Sequence, residues 1–217
     1  MIPVEKRIDS DDYRDYVIKG GMFIGAFEEM YRRVEDPWNI GDAREIQYDL
    51  LLYLIARHRI CHGGGRILDI GCGRGAFTAR LKGLLPDAEI LAVDISPTAV
   101  RKAEKSYPIP GISFSVLDIQ AEYTRLRREY DLVVISQMVW YILPRLKVIM
   151  EHVLTHVLKE GCYLLVNQAF YRPEDQSYGK EMLSTVEDLV RIIGRDPVEL
   201  IETNRLSNHN AILLFRG

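Results

Sequence analysis

The sequence predicts an α/β protein. Its expected core is a doubly wound, seven-stranded sheet, mostly parallel, ended by an antiparallel C-terminal hairpin and preceded by an N-terminal helical cap. Three observations carry this expectation. Short apolar runs alternate with amphipathic helical patterns from residue 65 onward, which is the signature of parallel strands covered on both faces. The run Arg66-Ile67-Leu68-Asp69-Ile70-Gly71-Cys72-Gly73-Arg74-Gly75 leads from an apolar strand through spaced glycines into a helix. The last two apolar runs, Val198–Asn204 and Ala211–Phe215, are joined by a link of hairpin length over Arg205 to Asn210.

The elements follow in order. Phe27-Glu28-Glu29-Met30-Tyr31 predicts a short helix, ended before Pro37 because the residue preceding a proline is pushed out of helical conformation. A long helix is expected from Asp42 to His58, with Ile46, Leu50, Tyr53 and Leu54 on one face. Gly63-Gly64-Gly65 releases the chain into the first core strand, so the expected division is a cap or lid at 1–62 and a ligand-binding core at 63–217. Strand Arg66–Ile70 precedes helix Ala76–Leu84, and strand Glu89–Asp94 precedes helix Pro97–Ser106. Strand Ile112–Leu117 leads to a short helix around Ala121–Glu129. Strand Leu132–Ser136 is followed by a helix from Pro144 to Leu158, strand Cys162–Val166 and a helix at Ser184–Ile193.

Composition narrows the function classes. The 217 residues are 47% hydrophobic and 27% charged, with a formal charge of -3, so nothing favours nucleic acid as a partner. The basic cluster Arg125, Arg127 and Arg128 is balanced by Glu122, Glu129 and Asp131 and reads as a solvated helix face. Three cysteines without metal-type spacing fit a reducing compartment. Residues Met1 to Tyr16 lack an apolar leader, and no run approaches the ~18 apolar residues of a membrane span. A cytoplasmic location and a monomer or homodimer are expected. His152 and His156 share a helix face but lack a third ligand, and His58, His62 and His209 are equally isolated, so no metal is expected.

Ligands of an open parallel sheet collect at the carboxyl ends of its strands. The first strand end offers Asp69 with Gly71, Cys72, Gly73 and Gly75, which bring backbone within contact of a ligand at a helix N-terminus. The second offers Asp94 and Ile95, nineteen residues beyond Gly75, a distance that suits a ribose-binding carboxylate. The third offers Asp118 and Ile119, an acid beside an apolar wall that fits adenine. The fourth offers Gln137, with Trp140 and Tyr141 just beyond. An acid before the glycine turn repels a pyrophosphate but suits a cofactor bearing an amino group, as S-adenosylmethionine does. This disfavours a nucleotide-dependent oxidoreductase; a non-catalytic module that only binds the cofactor is the other alternative.

On these residues the chain resembles the class I S-adenosylmethionine-dependent methyltransferases, through Ile67–Phe77, Leu91–Ile95, Val116–Ile119 and Asp131–Tyr141. With Phe27–Tyr31 and Asp36-Pro37-Trp38 ahead of the core, it also resembles the nodulation-factor N-methyltransferase group of small-molecule enzymes. The resemblance implies a Rossmann-like sheet, with the Asp69–Gly75 loop on the methionine part, Asp94 on the ribose, and Asp118 and Ile119 around the adenine. It also implies a small-molecule acceptor, a sugar or natural-product intermediate methylated on nitrogen or oxygen. Tyr31 and Trp38 would close over the sulfonium, although packing against the sheet edge serves those rings equally. Trp140, Tyr141, Gln168 and Tyr171 would line the acceptor pocket, with core packing the alternative for Trp140 and Tyr141. No residue stands out as a catalytic base. The lack of an Asn-Pro-Pro-Tyr type tetrapeptide at Gln137-Met138 argues against a nucleic-acid amino-methyltransferase.

Overall fold

The computed structural model describes residues 8–38, 42–127, 129–172, 174–205 and 208–217. Asn39, Ile40, Arg128 and the centre of the terminal hairpin link lie outside the described residues. The seven-stranded sheet comprises β3 (Gly65–Ile70), β4 (Ala88–Asp94), β5 (Ile112–Val116), β6 (Tyr130–Ser136), β7 (Leu158–Phe170), β8 (Glu199–Arg205) and β9 (Asn208–Arg216). Their spatial order is β5-β4-β3-β6-β7-β9-β8. β3 pairs in parallel with both β4 and β6, so the chain's direction of travel reverses beside β3 and opens a crevice at its carboxyl end. β9 runs antiparallel to both β7 and β8, as the terminal hairpin predicts.

Two layers cover the sheet. On one face α7 (Leu146–His152) and α8 (Val186–Ile193) bury Ile149, Met150 and Leu189 against Val133, Ile135 and Leu164. On the other, α3 (Asp42–Arg57) and α4 (Ala76–Leu84) bury Leu51, Leu54, Ile55, Phe77 and Leu81 against Ile67, Val134 and Leu214. Alternation along β6 explains the split: Val133 and Ile135 face one layer, Leu132 and Val134 the other.

Several expectations are corrected. The buried stripe of α3 is Leu51, Leu54 and Ile55, whereas Ile46 and Tyr53 are about half exposed (49% and 50%). Its run Leu50-Leu51-Leu52-Tyr53-Leu54-Ile55 is apolar all round, so periodicity alone does not select the buried side. The helix expected over Pro144–Leu158 has three parts: a 3-10 segment (Val139–Arg145), α7, and a π-helical turn (Val153–Val157). The wider turn lets Val153, Leu154 and Val157 all reach the core. The expected helix at Ala121–Glu129 is one turn, α6 (Ile119–Glu122), followed by a 3-10 turn (Tyr123–Arg125).

Ahead of the large sheet, the described residues pack in two groups. A cluster of Tyr16, Val17, Met30 and Tyr31 unites α1 (Arg14–Val17) with α2 (Phe27–Arg33) and rests on Ala99 of α5 (Pro97–Ser106). Between α1 and α2, β1 (Ile18–Lys19) and β2 (Met22–Phe23) form a two-residue-per-strand hairpin around Gly20-Gly21. Helix α3, by contrast, belongs to the core layer. The covering segment therefore spans the elements from α1 to Trp38.

Candidate functional site

One cavity of about 400 Å³ lies at the carboxyl ends of β3, β4 and β6. Its floor is the turn from β3 into α4, its sides are the ends of β4 and β6, and its roof is the α1–Trp38 segment. Asp69, Gly71, Cys72, Gly73, Asp94, Ile95, Asp118, Ile119, Gln137, Trp38, Tyr31, Trp140, Tyr141, Gln168 and Tyr171 all line it.

Gly75 is the exception. It caps α4 in the left-handed region (φ 80), and a methyl group there would lie 2.9 Å from the Phe114 ring and 3.1 Å from Ala103. Its smallness admits the close approach of Phe114 and Ala103 to the start of α4. Gly73 (φ 54) answers a different constraint: a methyl group there would lie 2.9 Å from the Tyr31 hydroxyl, so the roof rests directly on the glycine turn.

Each acid has its own environment. Asp69 is 2% exposed and accepts a hydrogen bond from the Thr78 hydroxyl at 2.6 Å. Burial pushes its carboxyl up to about 6, although the Thr78 hydroxyl pulls the other way. Asp94 accepts the Gly73 N–H on one oxygen (2.9 Å) and the Ser96 N–H on the other (2.9 Å), which fixes its plane across the turn. Burial raises its carboxyl above the ordinary range despite these two donors. Each oxygen retains lone-pair capacity for a further donor. Asp118 spends Oδ1 on the amides of Gln120 and Ala121, capping α6. Its helix-capping role is one that strand-end reasoning missed.

The wall beyond β6 is already hydrogen-bonded. Gln137 sits in the left-handed region (φ 58) and donates its N–H to the Asn167 carbonyl. Its side chain bridges Ala169 N–H, Gln47 and Asn210. Gln168 accepts the Val139 N–H at 2.9 Å and donates to the Ala169 carbonyl, so its amide holds the loop after β6. Trp140 donates its indole N–H to the same carbonyl and belongs to the main core cluster. Trp140 thus packs in the core cluster and also lines the cavity.

The roof is aromatic. Trp38 donates to the Tyr31 hydroxyl at 2.6 Å, and its ring lies 6.0 Å from Tyr141 and 5.2 Å from Tyr13. Phe27 meets Tyr141 edge-on at 5.1 Å. Ionic ties hold the roof down: Arg74 reaches the Glu35 carbonyl and carboxylate, and Lys102 reaches Glu35 and the Tyr31 carbonyl. Burial, reinforced by the charge of Asp94, drives the Tyr31 hydroxyl well above its usual range, so it stays protonated. Tyr13, Phe27, Gln47, Tyr48 and Ser136 also line the cavity, beyond the residues that the sequence singles out. Phe27 and Ser136 fall within the Phe27–Tyr31 and Asp131–Tyr141 motifs, but Gln47 and Tyr48 carry no signal beyond helical periodicity.

His152 and His156 stack on each other at 4.9 Å, outside the residues that line the cavity. No metal-type grouping occurs among the described residues, and no helix among them is long and apolar enough to cross a membrane.

Comparison with known proteins agrees with this geometry. Residues 67–161 match the family model for a methyltransferase domain. A malonyl-[acyl-carrier protein] O-methyltransferase of Acetivibrio thermocellus is 41% identical over 68 residues, 31% of this chain and 23% of that protein. The chain spans less than half the length of the malonyl-[acyl-carrier protein] O-methyltransferases it matches. Nodulation protein S of Azorhizobium caulinodans is 26% identical over 167 residues, 73% of this chain and 76% of that protein. Among solved structures, the N-methyltransferase NodS of Bradyrhizobium japonicum WM9, in complex with S-adenosyl-L-homocysteine, superposes with a TM-score of 0.69. Its identity is 20%, over 88% of this chain and 96% of that one. Residues 67–161 thus match a methyltransferase domain, and the fold built around them is the Rossmann-like fold shared with that N-methyltransferase.

Proposed function

We propose that this protein transfers a methyl group from S-adenosylmethionine to a nitrogen or oxygen of a small molecule, with a sugar or natural-product intermediate as the acceptor class. The observation that carries the reading is the convergence of Asp69, Asp94 and Asp118, from three successive strand ends, on one aromatic-roofed cavity. The residues fit the cofactor. Asp69 offers a buried carboxylate, held on Oδ2 by the Thr78 hydroxyl and suited to an ammonium group. Asp94 is oriented across the glycine turn for two ribose hydroxyls, and Asp118 with Ile119 flanks a slot for adenine. When bound, the cofactor supplies a methyl group activated on a sulfonium. The faces of Tyr31, Trp38 and Tyr141 attract that positive charge and exclude water around it.

The acceptor side belongs to Tyr141, Trp140, Gln168 and Tyr171, with Tyr13 and Phe27 of the roof. Holding the nucleophile in line with the methyl is the main contribution required of them, because alignment alone supplies much of the acceleration of a displacement. An amine acceptor that arrives neutral needs no base, which agrees with a cavity whose histidines all lie elsewhere. The 1–62 division of the sequence is best redrawn as a roof ending at Trp38.

Calorimetric titration tests the reading. S-adenosylhomocysteine should bind and NADH should not, and Asp94→Ala should abolish the heat of binding. A screen of amino and hydroxyl acceptors should then release S-adenosylhomocysteine. Failure to bind S-adenosylhomocysteine, or unchanged affinity in Asp94→Ala, overturns the cofactor assignment; binding without turnover across the screen favours a non-catalytic module.

A further inference from the structure

The Phe27–Tyr31 motif contains an acid that does not line the cavity but is bonded to its frame. Glu28 accepts the Ser96 hydroxyl (2.6 Å) and the Thr98 N–H (2.9 Å) on one oxygen. On the other it accepts the Thr98 hydroxyl (2.7 Å) and Arg32 Nε (2.8 Å). All four partners donate, which only an acceptor-only group satisfies fully. Ser96 also donates its N–H to Asp94, and Asp94 receives the Gly73 N–H. Gly73 in turn lies directly beneath the hydroxyl of Tyr31, three residues after Glu28 on the same helix. The contacts close a ring: Glu28, Ser96, Asp94, Gly73, Tyr31, and back through α2.

We infer that Glu28 is a positioning residue for the cofactor: through Ser96 it sets the plane of Asp94, and through α2 it sets Tyr31 over the glycine turn. The inference rests on the cofactor reading above. Roof and ribose acid are then one unit, because moving α2 outward pulls on the segment that orients Asp94. Burial alone would raise the Glu28 carboxyl, but its donors outweigh burial and hold it at about 2, so the ring stays charged at any working pH. The core strands place Asp94, Ser96 caps α5 by accepting the Ala99 N–H, and Glu28 adds a contact on the turn between them from outside the core.

The test is S-adenosylhomocysteine binding followed by tryptophan fluorescence. The chain's two tryptophans, Trp38 and Trp140, both line the cavity and report on it. Glu28→Ala should weaken binding about tenfold, mainly through faster dissociation. Glu28→Gln keeps one accepting oxygen and should weaken binding only about threefold, a partial rescue. A merely structural role lowers the melting temperature and leaves affinity intact. Affinity within experimental error of wild type in both variants overturns the inference. If Glu28→Ala does not fold, Glu28→Gln decides alone: a raised dissociation constant supports the inference and an unchanged one overturns it. If the wild type itself does not bind, the cofactor reading falls and this inference falls with it, which separates the two failures.

Discussion

On the proposed function, Asp69 is the residue at which folding and binding make opposite demands. Its carboxyl is pushed up to about 6 from an ordinary 3.8, mainly by burial. The folded state therefore holds the Asp69 proton more tightly than the unfolded chain does. Above about pH 6 the charged form costs the fold about 3 kcal/mol, since each tenfold gain in proton affinity is worth ~1.36 kcal/mol. That cost shrinks as pH falls from about 6 toward 3.8, the window set by the two values. Asp69→Asn removes the charge while its amide oxygen still accepts the Thr78 hydroxyl. Allowing about 1 kcal/mol for the new amide N–H group leaves a net gain of about 2 kcal/mol. For a chain of this length that raises the melting temperature of the ligand-free protein by roughly 4–8 °C.

Binding should move the other way. Losing a charged hydrogen bond to the cofactor's ammonium costs about 1.5–3 kcal/mol, or roughly ten- to 150-fold in affinity for S-adenosylhomocysteine. In the wild type, affinity should fall about tenfold for each pH unit below 6, since the cofactor must then displace a proton from Asp69. Asp69→Asn should make that dependence shallower; Asp94, also raised by burial, accounts for what remains. Differential scanning fluorimetry and calorimetry from pH 5 to 8 measure both effects. Wild-type affinity in Asp69→Asn, or a melting temperature that falls, refutes the reasoning.

Three further perturbations separate parts of the site. Gly75→Ala should lower stability by about 1–3 kcal/mol through its left-handed backbone and contact with Phe114, yet leave S-adenosylhomocysteine affinity nearly unchanged. Gly73→Ala should weaken binding as well, because the added methyl group lifts Tyr31 off the turn; thermal melts paired with calorimetry tell the two apart. Trp38→Ala should weaken S-adenosylmethionine more than S-adenosylhomocysteine, by roughly two- to thirtyfold, because only the former carries the sulfonium that an aromatic face attracts at ~0.5–2 kcal/mol. Parallel titrations with the two ligands measure that ratio.

The parts of this molecule legible in its sequence are those governed by one local rule. Helices Ala76–Leu84 and Pro97–Ser106 form where the periodicity places them, because a left-handed Gly75 opens one and Ser96 with Pro97 opens the other. The strand-end acids were legible because a parallel sheet sends its strands' carboxyl ends to a single edge. Illegible were the choices made between elements. Periodicity offered α3 two apolar faces, and only the sheet selects Leu51, Leu54 and Ile55. Spacing put Gly71, Gly73 and Gly75 together, and only the fold adds a packing constraint at Gly75 through Phe114 and Ala103. Glu28 is the sharpest case. In the sequence it is an ordinary helical acid beside Glu29, with Arg32 four residues on, a surface pair worth only ~0.3–0.5 kcal/mol. Its partners Ser96 and Thr98 lie 68 and 70 residues away, and only the fold shows that this acid reaches the segment that holds Asp94.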